Sequence, residues 1–327
     1  MPRIIECIPN FCVGQDQEVI LKIRQAILSI KGVTLKCVDT GYYANRSVYT
    51  FLGDIAPMFE AAYQSIQSAS EYIDMRTHQG THPRFGAIDV FPFVSIAGIT
   101  DQELVPIVAE FAKKVANDFK IPTYFYEKNA SSSYRKDLAK IRKGEYEGLK
   151  DKMKDEQWLP DHYPNFNPKT GGMAIGVRNV LVAFNVNLET KDVAIAKKIA
   201  EEIRASGKIK QNKKGEKYRE KGLCKGVKAI GWYIRDFDKV QVSMNIFDTT
   251  LTPVHKAFET CVELAKQQNT RVTGAELIGC IPKHCLDEAD TYFIEKYQLP
   301  ASIAMNLNEL KPFDLDKNVI DFNSFCS

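Results

Sequence analysis

The stretch RTHQGTHPRFGAIDV, residues 76–90, holds two of the chain's five histidines, His78 and His82, with Arg84 two residues beyond the second. Imidazole is the side chain best suited to moving protons near neutral pH. As a metal clamp, two histidines at i and i+4 need a shared helical face, as in HExxH sites. Here Gly80 lies between them and Pro83 follows, both of which disfavour a helix, and no glutamate or third ligand stands nearby. As an acid–base site the stretch reads better. His82 precedes a proline, which pushes its backbone toward extended geometry. In an extended stretch Arg84 then falls on the same face. A proton-transfer group beside a fixed cation suits a substrate bearing carboxylates. The residues taken alone leave a third reading open, a packing or hydrogen-bonding histidine at a turn.

The elements that must hold this stretch follow from periodicity. Residues 3–11, 33–39, 46–53 and 86–96 read as strands, and residues 17–30 and 58–73 as helices with apolar spacing of 3.6. The order is βαββαβ, followed by a helix over 101–119 and a strand over 122–127. The same order recurs: strands at 180–189, 227–236, 239–248 and 273–282, helices at 191–206 and 253–268, and a closing helix at 284–297. In the third of these strands Val240, Val242, Met244 and Ile246 alternate with Gln241, Ser243 and Asn245. Two βαββαβ units predict an α+β chain of two ferredoxin-like subdomains, 1–178 and 179–327. Residues 155–179, rich in proline, glycine and asparagine, read as the joint between them, and a joint of that length is often functional. The basic stretch 208–226 reads as a solvated loop or as a basic wall near an anionic ligand.

Composition narrows the function classes. The chain has 327 residues, 44% of them hydrophobic, and Lys+Arg of 44 against Asp+Glu of 41, a net charge of +3. That balance gives no case for nucleic acid as a general partner. No secretory leader and no long apolar span are legible, so a cytoplasmic protein with no membrane partner is expected. Cys7, Cys12, Cys37, Cys224, Cys261, Cys280, Cys285 and Cys326 form no CxxC pair and mostly sit in apolar runs, as reduced thiols do.

Several blocks, in this order, resemble the formiminotransferase family: ECIPNFCVGQDQEVI, CVDTGYYANRSVYTFLG, IDMRTHQGTHPRFGAIDVFPF, IRKGEYEGL, AFNVNL, AIGWYI, QVSMNIFD and GAELIGCIP. The resemblance covers nearly the whole chain, and the HQGTHPRFGAIDV block is highly specific. It implies transfer of the formimino group from N-formimino-L-glutamate to N5 of tetrahydrofolate, giving L-glutamate and 5-formimino-tetrahydrofolate, a step of histidine degradation. It further implies two ferredoxin-like subdomains with a folate tunnel or cleft between them, a homodimer, tetrahydrofolate as co-substrate, folate polyglutamates as ligands, and no metal. Some members carry a fused cyclodeaminase domain; a chain stopping at Ser327 implies the transferase alone.

For single residues the resemblance implies His82 as the catalytic acid and base. Asp39, in CVDTG, matches its acidic partner, a place where a turn aspartate would also fit. Arg84 could hold a substrate carboxylate bidentately. Asn10 and Arg46 fall in matching motifs near the site. The folate-binding segment matches Tyr163, Pro164, Asn165, Phe166, Asn167, Pro168, Lys169, Thr170, Gly171 and Gly172. There the aromatics could lie against a pterin, and Lys169 could attract the folate's acidic tail. Rival readings are one-carbon transfer from 5-formyl-tetrahydrofolate, a folate-binding module without turnover, and an HxxxH metalloprotein. The intact His82, Asp39 and Arg84 argue against the pure binder.

Overall fold

The computed structural model describes residues 2–212 and 214–325; Cys326 and Lys213 of the basic stretch lie outside them. The chain forms two compact units, one up to Asn179 that also takes in the turn Phe322–Phe325, the other Val180–Asp321.

The first unit opens with β1 (Ile4–Cys7) and β2 (Asn10–Phe11), one extended run interrupted at Pro9, which has no N–H for a ladder. α1 (Gln17–Leu28) starts where the Asp16 carboxylate accepts from the Glu18 and Val19 amides. β3 (Val33–Gly41) and β4 (Arg46–Asp54) follow, then α2 (Ile55–Tyr72), capped by Asp54. α2 begins three residues earlier than the apolar pattern suggests, because Pro57 sits in the first turn, where its missing N–H is not needed. β5 (Ile88–Ala97) leads to α3 (Asp101–Phe119), which opens on a Thr100/Glu103 capping box. β6 (Thr123–Phe125), the short helices α4 (Leu138–Arg142) and α5 (Glu145–Lys152), and β7 (Met173–Val177) complete the unit.

The sheet runs β3, β4, β1 with β2, β5, β7, β6. The first strands pair antiparallel, and β7 runs parallel to both β5 and β6. Ile5, Cys7, Phe11, Tyr49, Phe51, Phe91 and Phe93 point to one face and pack against α1, α2 and α3. On the opposite face a smaller cluster, with Phe85, Val90, Tyr124, Ile141, Leu149 and Ala174, joins β5–β7 to α4 and α5. Alternation puts Glu6, Asn10, Asp39 and Arg46 on that same second face, where the strands turn polar.

Two expectations are corrected here. Residues 155–179 are not a joint between units. They belong to the first unit and end in β7, whose five residues are all buried between β5 and β6. The basic stretch is not simply a solvated loop. It forms a hairpin, β9 (Lys208–Gln211) with β10 (Lys217–Glu220), whose lysines pair with Glu202 and Glu220.

The second unit contains β8 (Val182–Leu188), α6 (Val193–Ile203), the β9–β10 hairpin, β11 (Val227–Ile234), β12 (Lys239–Ile246), α7 (Val254–Gln267) and β13 (Val272–Ile278). A minor strand pair, β14 (Ile281–Pro282) with β15 (Val319–Ile320), flanks α8 (Lys283–Tyr297). The antiparallel sheet runs β11, β12, β8, β13. Val240, Val242, Met244 and Ile246 lie in the core with α6, α7 and α8. The alternate residues form a polar ladder: Trp232 Nε1 donates to Gln241 Oε1 (3.2 Å), and Gln241 Nε2 donates to Asn187 Oδ1 (2.6 Å). Among the described residues no helix is long and apolar enough to cross a membrane.

Candidate active site

The loop carrying the two histidines is built against the turn between β3 and β4. The Thr81 amide donates to the Tyr43 carbonyl (3.0 Å), and His78 Nε2 lies 2.8 Å from the Asn45 carbonyl, so that nitrogen carries the proton. Gly80 lies so close to this turn that a Cβ there would stand 2.2 Å from the Ala44 carbonyl oxygen. The Asn45 side chain ties the same turn to the Gly14 amide (2.9 Å) and the Gln79 carbonyl (2.9 Å). His78 therefore fastens the loop, and it is not paired with His82 as a clamp. Among the described residues no group of three histidine, cysteine or acidic side chains could hold a metal ion.

His82 follows at the point where the chain leaves this turn. Its Nδ1 lies 2.8 Å from the Pro83 carbonyl, which can only accept, so Nδ1 carries the proton and Nε2 is the basic atom of the neutral ring. Burial pushes the pKa of His82 down to about 3, Arg46 and Arg142 push in the same direction, and Asp89 with the Pro83 carbonyl oppose them. These effects together favour the neutral form of the ring.

Asp89 and Arg142 are site residues the sequence reading missed. β5 carries a bulge opposite Asn10 and Phe11, which breaks the strict alternation and sends the fully buried Asp89 to the polar face. Its carboxylate accepts from the Phe85 amide (3.1 Å) and from Arg142 Nε (3.2 Å) and Nη2 (2.6 Å), and lies 2.7 Å from Arg46 Nη1. Burial alone would raise its pKa, but Arg142, Arg46 and His82 outweigh it and hold the carboxyl below its ordinary range. Arg46 also donates through Nε (3.1 Å) and Nη2 (2.9 Å) to Asn10 Oδ1. Asn10 and Arg46, expected near the site, are thus brought together with Asp89, and the arginine's field reaches His82. The only sequence signal for Asp89 was a charged residue inside the otherwise apolar run of the fourth strand.

Asp39 sits on β3 opposite Val48, which pairs on its other side with Asn10. One row of the sheet therefore carries Asp39, Val48 and Asn10 side by side, and the Asp39 carboxylate accepts from the Cys37 thiol at 3.8 Å. Arg84 does not stand ready as a substrate clamp. Its guanidinium forks onto Glu147 (2.7 and 2.8 Å) and reaches Glu145 (3.1 Å), and the residue is buried. Spacing alone put Arg84 on the face of His82; the acidic residues of α5 draw it away and make it a brace between the loop and that helix.

The segment from Tyr163 to Gly172 is packed rather than loose. Tyr163 has a positive φ of 54°, and Pro164 and Asn165 are exposed. The Phe166 ring lies 6.0 Å from that of Tyr146, whose hydroxyl donates to the Pro168 carbonyl (2.6 Å). Asn167 Oδ1 accepts from the Lys169 and Thr170 amides (3.0 and 3.2 Å). Lys169 Nζ donates to the Glu71 carbonyl at the end of α2 (2.7 Å). The Thr170 carbonyl accepts from the Ala87 amide (2.7 Å) and the Gly172 amide donates to the Phe85 carbonyl (3.0 Å). At Gly171, φ is +63° and a Cβ would stand 2.4 Å from the Phe85 oxygen. The segment is stitched to the strand that begins two residues beyond Gly86, within one unit with His82.

Fold and site together define a two-unit α+β protein in which a half-buried histidine stands within the field of two arginines and one aspartate. Comparison with known proteins gives the family. Residues 4–178 match the formiminotransferase domain, N-terminal subdomain, and residues 183–324 match the formiminotransferase domain. The chain is 42% identical to glutamate formimidoyltransferase of Streptococcus pyogenes serotype M1, over 90% of this chain and 94% of that protein. It is 36% identical to glutamate formimidoyltransferase of Thermoplasma acidophilum, over 89% and 92%. It is also 38% identical to formimidoyltransferase-cyclodeaminase of Dictyostelium discoideum, over 98% of this chain but 60% of that longer protein. The chain belongs to the formiminotransferase family.

Proposed function

We propose that the protein is a glutamate formimidoyltransferase that moves the formimino group of N-formimino-L-glutamate to N5 of tetrahydrofolate, in histidine degradation. The protein needs no metal and acts as a cytoplasmic homodimer, taking folate polyglutamates as ligands. Its two subdomains, divided near residues 178–180, are ferredoxin-like; the order β3, β4, β1, β5 in one sheet and β11, β12, β8, β13 in the other supports that reading.

The carrying observation is the Nδ1–H to Pro83 bond of His82, which makes Nε2 the basic atom inside a block highly specific to the family. In the transfer, N5 attacks the amidine carbon and must lose a proton, and the departing glutamate nitrogen must gain one. Nε2 takes the first and returns it in the second step. Asp39 stands on the sheet face of Asn10 and Arg46 as the acidic partner, and Arg84 supports the loop from α5. The Tyr163–Gly172 segment receives the folate. Turnover with purified protein, formiminoglutamate and tetrahydrofolate tests the reading. Transfer in the presence of strong chelator supports it; activity only with 5-formyl-tetrahydrofolate as donor, or only after zinc is restored, overturns it.

A further inference from the structure

Asp89 holds two guanidinium groups with one carboxylate, and the other partner of Arg46, the Asn10 amide, is neutral. Arg46 is buried, the side chain of Arg142 is 15% exposed, and Arg84 is neutralised by Glu147. Around Asp89 two guanidinium groups face one carboxylate, where water is scarce and an uncompensated charge is costly; the Asp39 carboxylate stands two strands from Asn10 on the same face. At His82 the effect of Arg46 and Arg142 is larger than the opposing effect of Asp89.

We propose that Asp89 is a positioning residue that presents Arg46 and Arg142, beside His82, as the receptor for the α-carboxylate of the formimino donor. The proposal rests on His82 as the base of the transfer. The chemistry of the donor chooses this carboxylate. In N-formimino-L-glutamate it is attached to the carbon that bears the reacting nitrogen, so its receptor must stand next to the group that handles that nitrogen's proton. The carboxylates of folate are separated from N5 by the side arm and the aminobenzoyl ring. The Nε and Nη2 groups of Arg46 are taken by Asn10 and those of Arg142 by Asp89, so the donor carboxylate is held by the net positive charge and the remaining guanidinium N–H groups, as Arg84, neutralised by Glu147, could not hold it.

The arrangement also couples binding to basicity. With the receptor empty, Arg46 on β4 and Arg142 on α4 oppose protonation of His82, and Asp89 on β5 offsets them only in part. A bound carboxylate cancels the excess, and Nε2 becomes a stronger base when the donor is present. N5–H then gives its proton to Nε2 as the new C–N bond forms, the old C–N bond breaks, and the same proton leaves on the glutamate amine. Protons and bonds balance without any further reagent.

The test uses Arg142→Met and Arg142→Lys, which leave Asp89 paired with Arg46, with Asp89→Asn as the third variant and thermal melting as the folding check. In Arg142→Met the KM for formiminoglutamate should rise by about 10–100-fold, the range of a lost charged hydrogen bond, with the KM for monoglutamyl tetrahydrofolate little changed. Arg142→Lys should fall between it and the native protein. The native enzyme should show its acidic limb at higher pH in kcat than in kcat/KM. An unchanged donor KM in a folded Arg142→Met overturns the proposal, and so does an equal rise for tetrahydrofolate, which would assign the receptor to the folate tail. Calorimetric binding of L-glutamate separates this from the activity itself. Glutamate binding that depends on Arg142 in a protein without turnover would leave the receptor standing and sink the transferase reading; turnover with Arg142-independent glutamate binding would do the reverse.

Discussion

Gly80→Ala adds one methyl group where the histidine loop meets the turn between β3 and β4. The added Cβ would lie 2.2 Å from the Ala44 carbonyl oxygen and 2.9 Å from its carbon, both backbone atoms that cannot swing away. Ordinary contact begins at 3.4 Å, so the two backbones must part by about 1.2 Å. The φ of Gly80 is not in the left-handed region, so the penalty is one of space alone. The Thr81–Tyr43 and His78–Asn45 bonds lie on either side of the contact and must stretch with it. His82 is two residues on, and a displacement of about 1 Å at a reacting group costs on the order of 10²-fold in rate. The expected outcome is a fall in kcat of about that size, with the protein still folded and the melting temperature lowered by only a few degrees. Gly148→Ala is the control. It lies inside α5 with nothing within 4 Å of the new Cβ, so it should stabilise by about 0.4–1 kcal/mol and leave kcat alone. Steady-state kinetics and thermal melting of both variants suffice. Native turnover in Gly80→Ala would show that the loop's position against Ala44 does not set the catalytic geometry.

Three further outcomes follow from the same structure. His78→Ala should lose the bond to Asn45 and lower stability by about 1 kcal/mol with a milder effect on turnover than any change at His82, measured by denaturant melts and kinetics. Lys169→Ala should weaken mono- and polyglutamylated folates alike, since its amine is held by the Glu71 carbonyl; a loss confined to the polyglutamates would instead place it on the folate tail. Burial, opposed by Arg178, raises the pKa of Glu6 to about 7. Such a group contributes its stability below the unfolded value of 4.5 and loses it as pH rises through 7, so Glu6→Gln should flatten the pH dependence of the melting temperature between those limits.

Much of this arrangement was legible in the sequence because it depends on periodicity and on breakers. The span of α3 opens on a Thr100/Glu103 capping box that leaves a pattern in the residues, whereas its end at Lys120 in a left-handed turn leaves none. β7 was not legible. It is five buried residues between Gly172 and the end of the first unit, embedded among prolines and glycines that read as loop, and its place between β5 and β6 is a long-range fact. At the site, His82 stood out by its type and its proline neighbour, and the pairing of Asn10 with Arg46 lay hidden in strand register. The partners of Arg84 were not legible because spacing gives a face but not a partner: Glu145 and Glu147 are more than 60 residues away in sequence. Asp89 was passed over because an apolar strand pattern absorbs a single acid unless the buried arginines that pair with it are known.

The most direct test of the account is turnover of formiminoglutamate with tetrahydrofolate by His82→Ala, alongside folate affinity and circular dichroism. Loss of Nε2 should lower kcat by about 10²–10⁴-fold, the usual weight of general acid–base catalysis. Folate affinity should change far less, because the residues from Tyr163 to Gly172 are held by their own bonds to Tyr146, Ala87 and Phe85. A folded His82→Ala protein with near-native turnover, or one less impaired than His78→Ala, would contradict the assignment of His82 as the base.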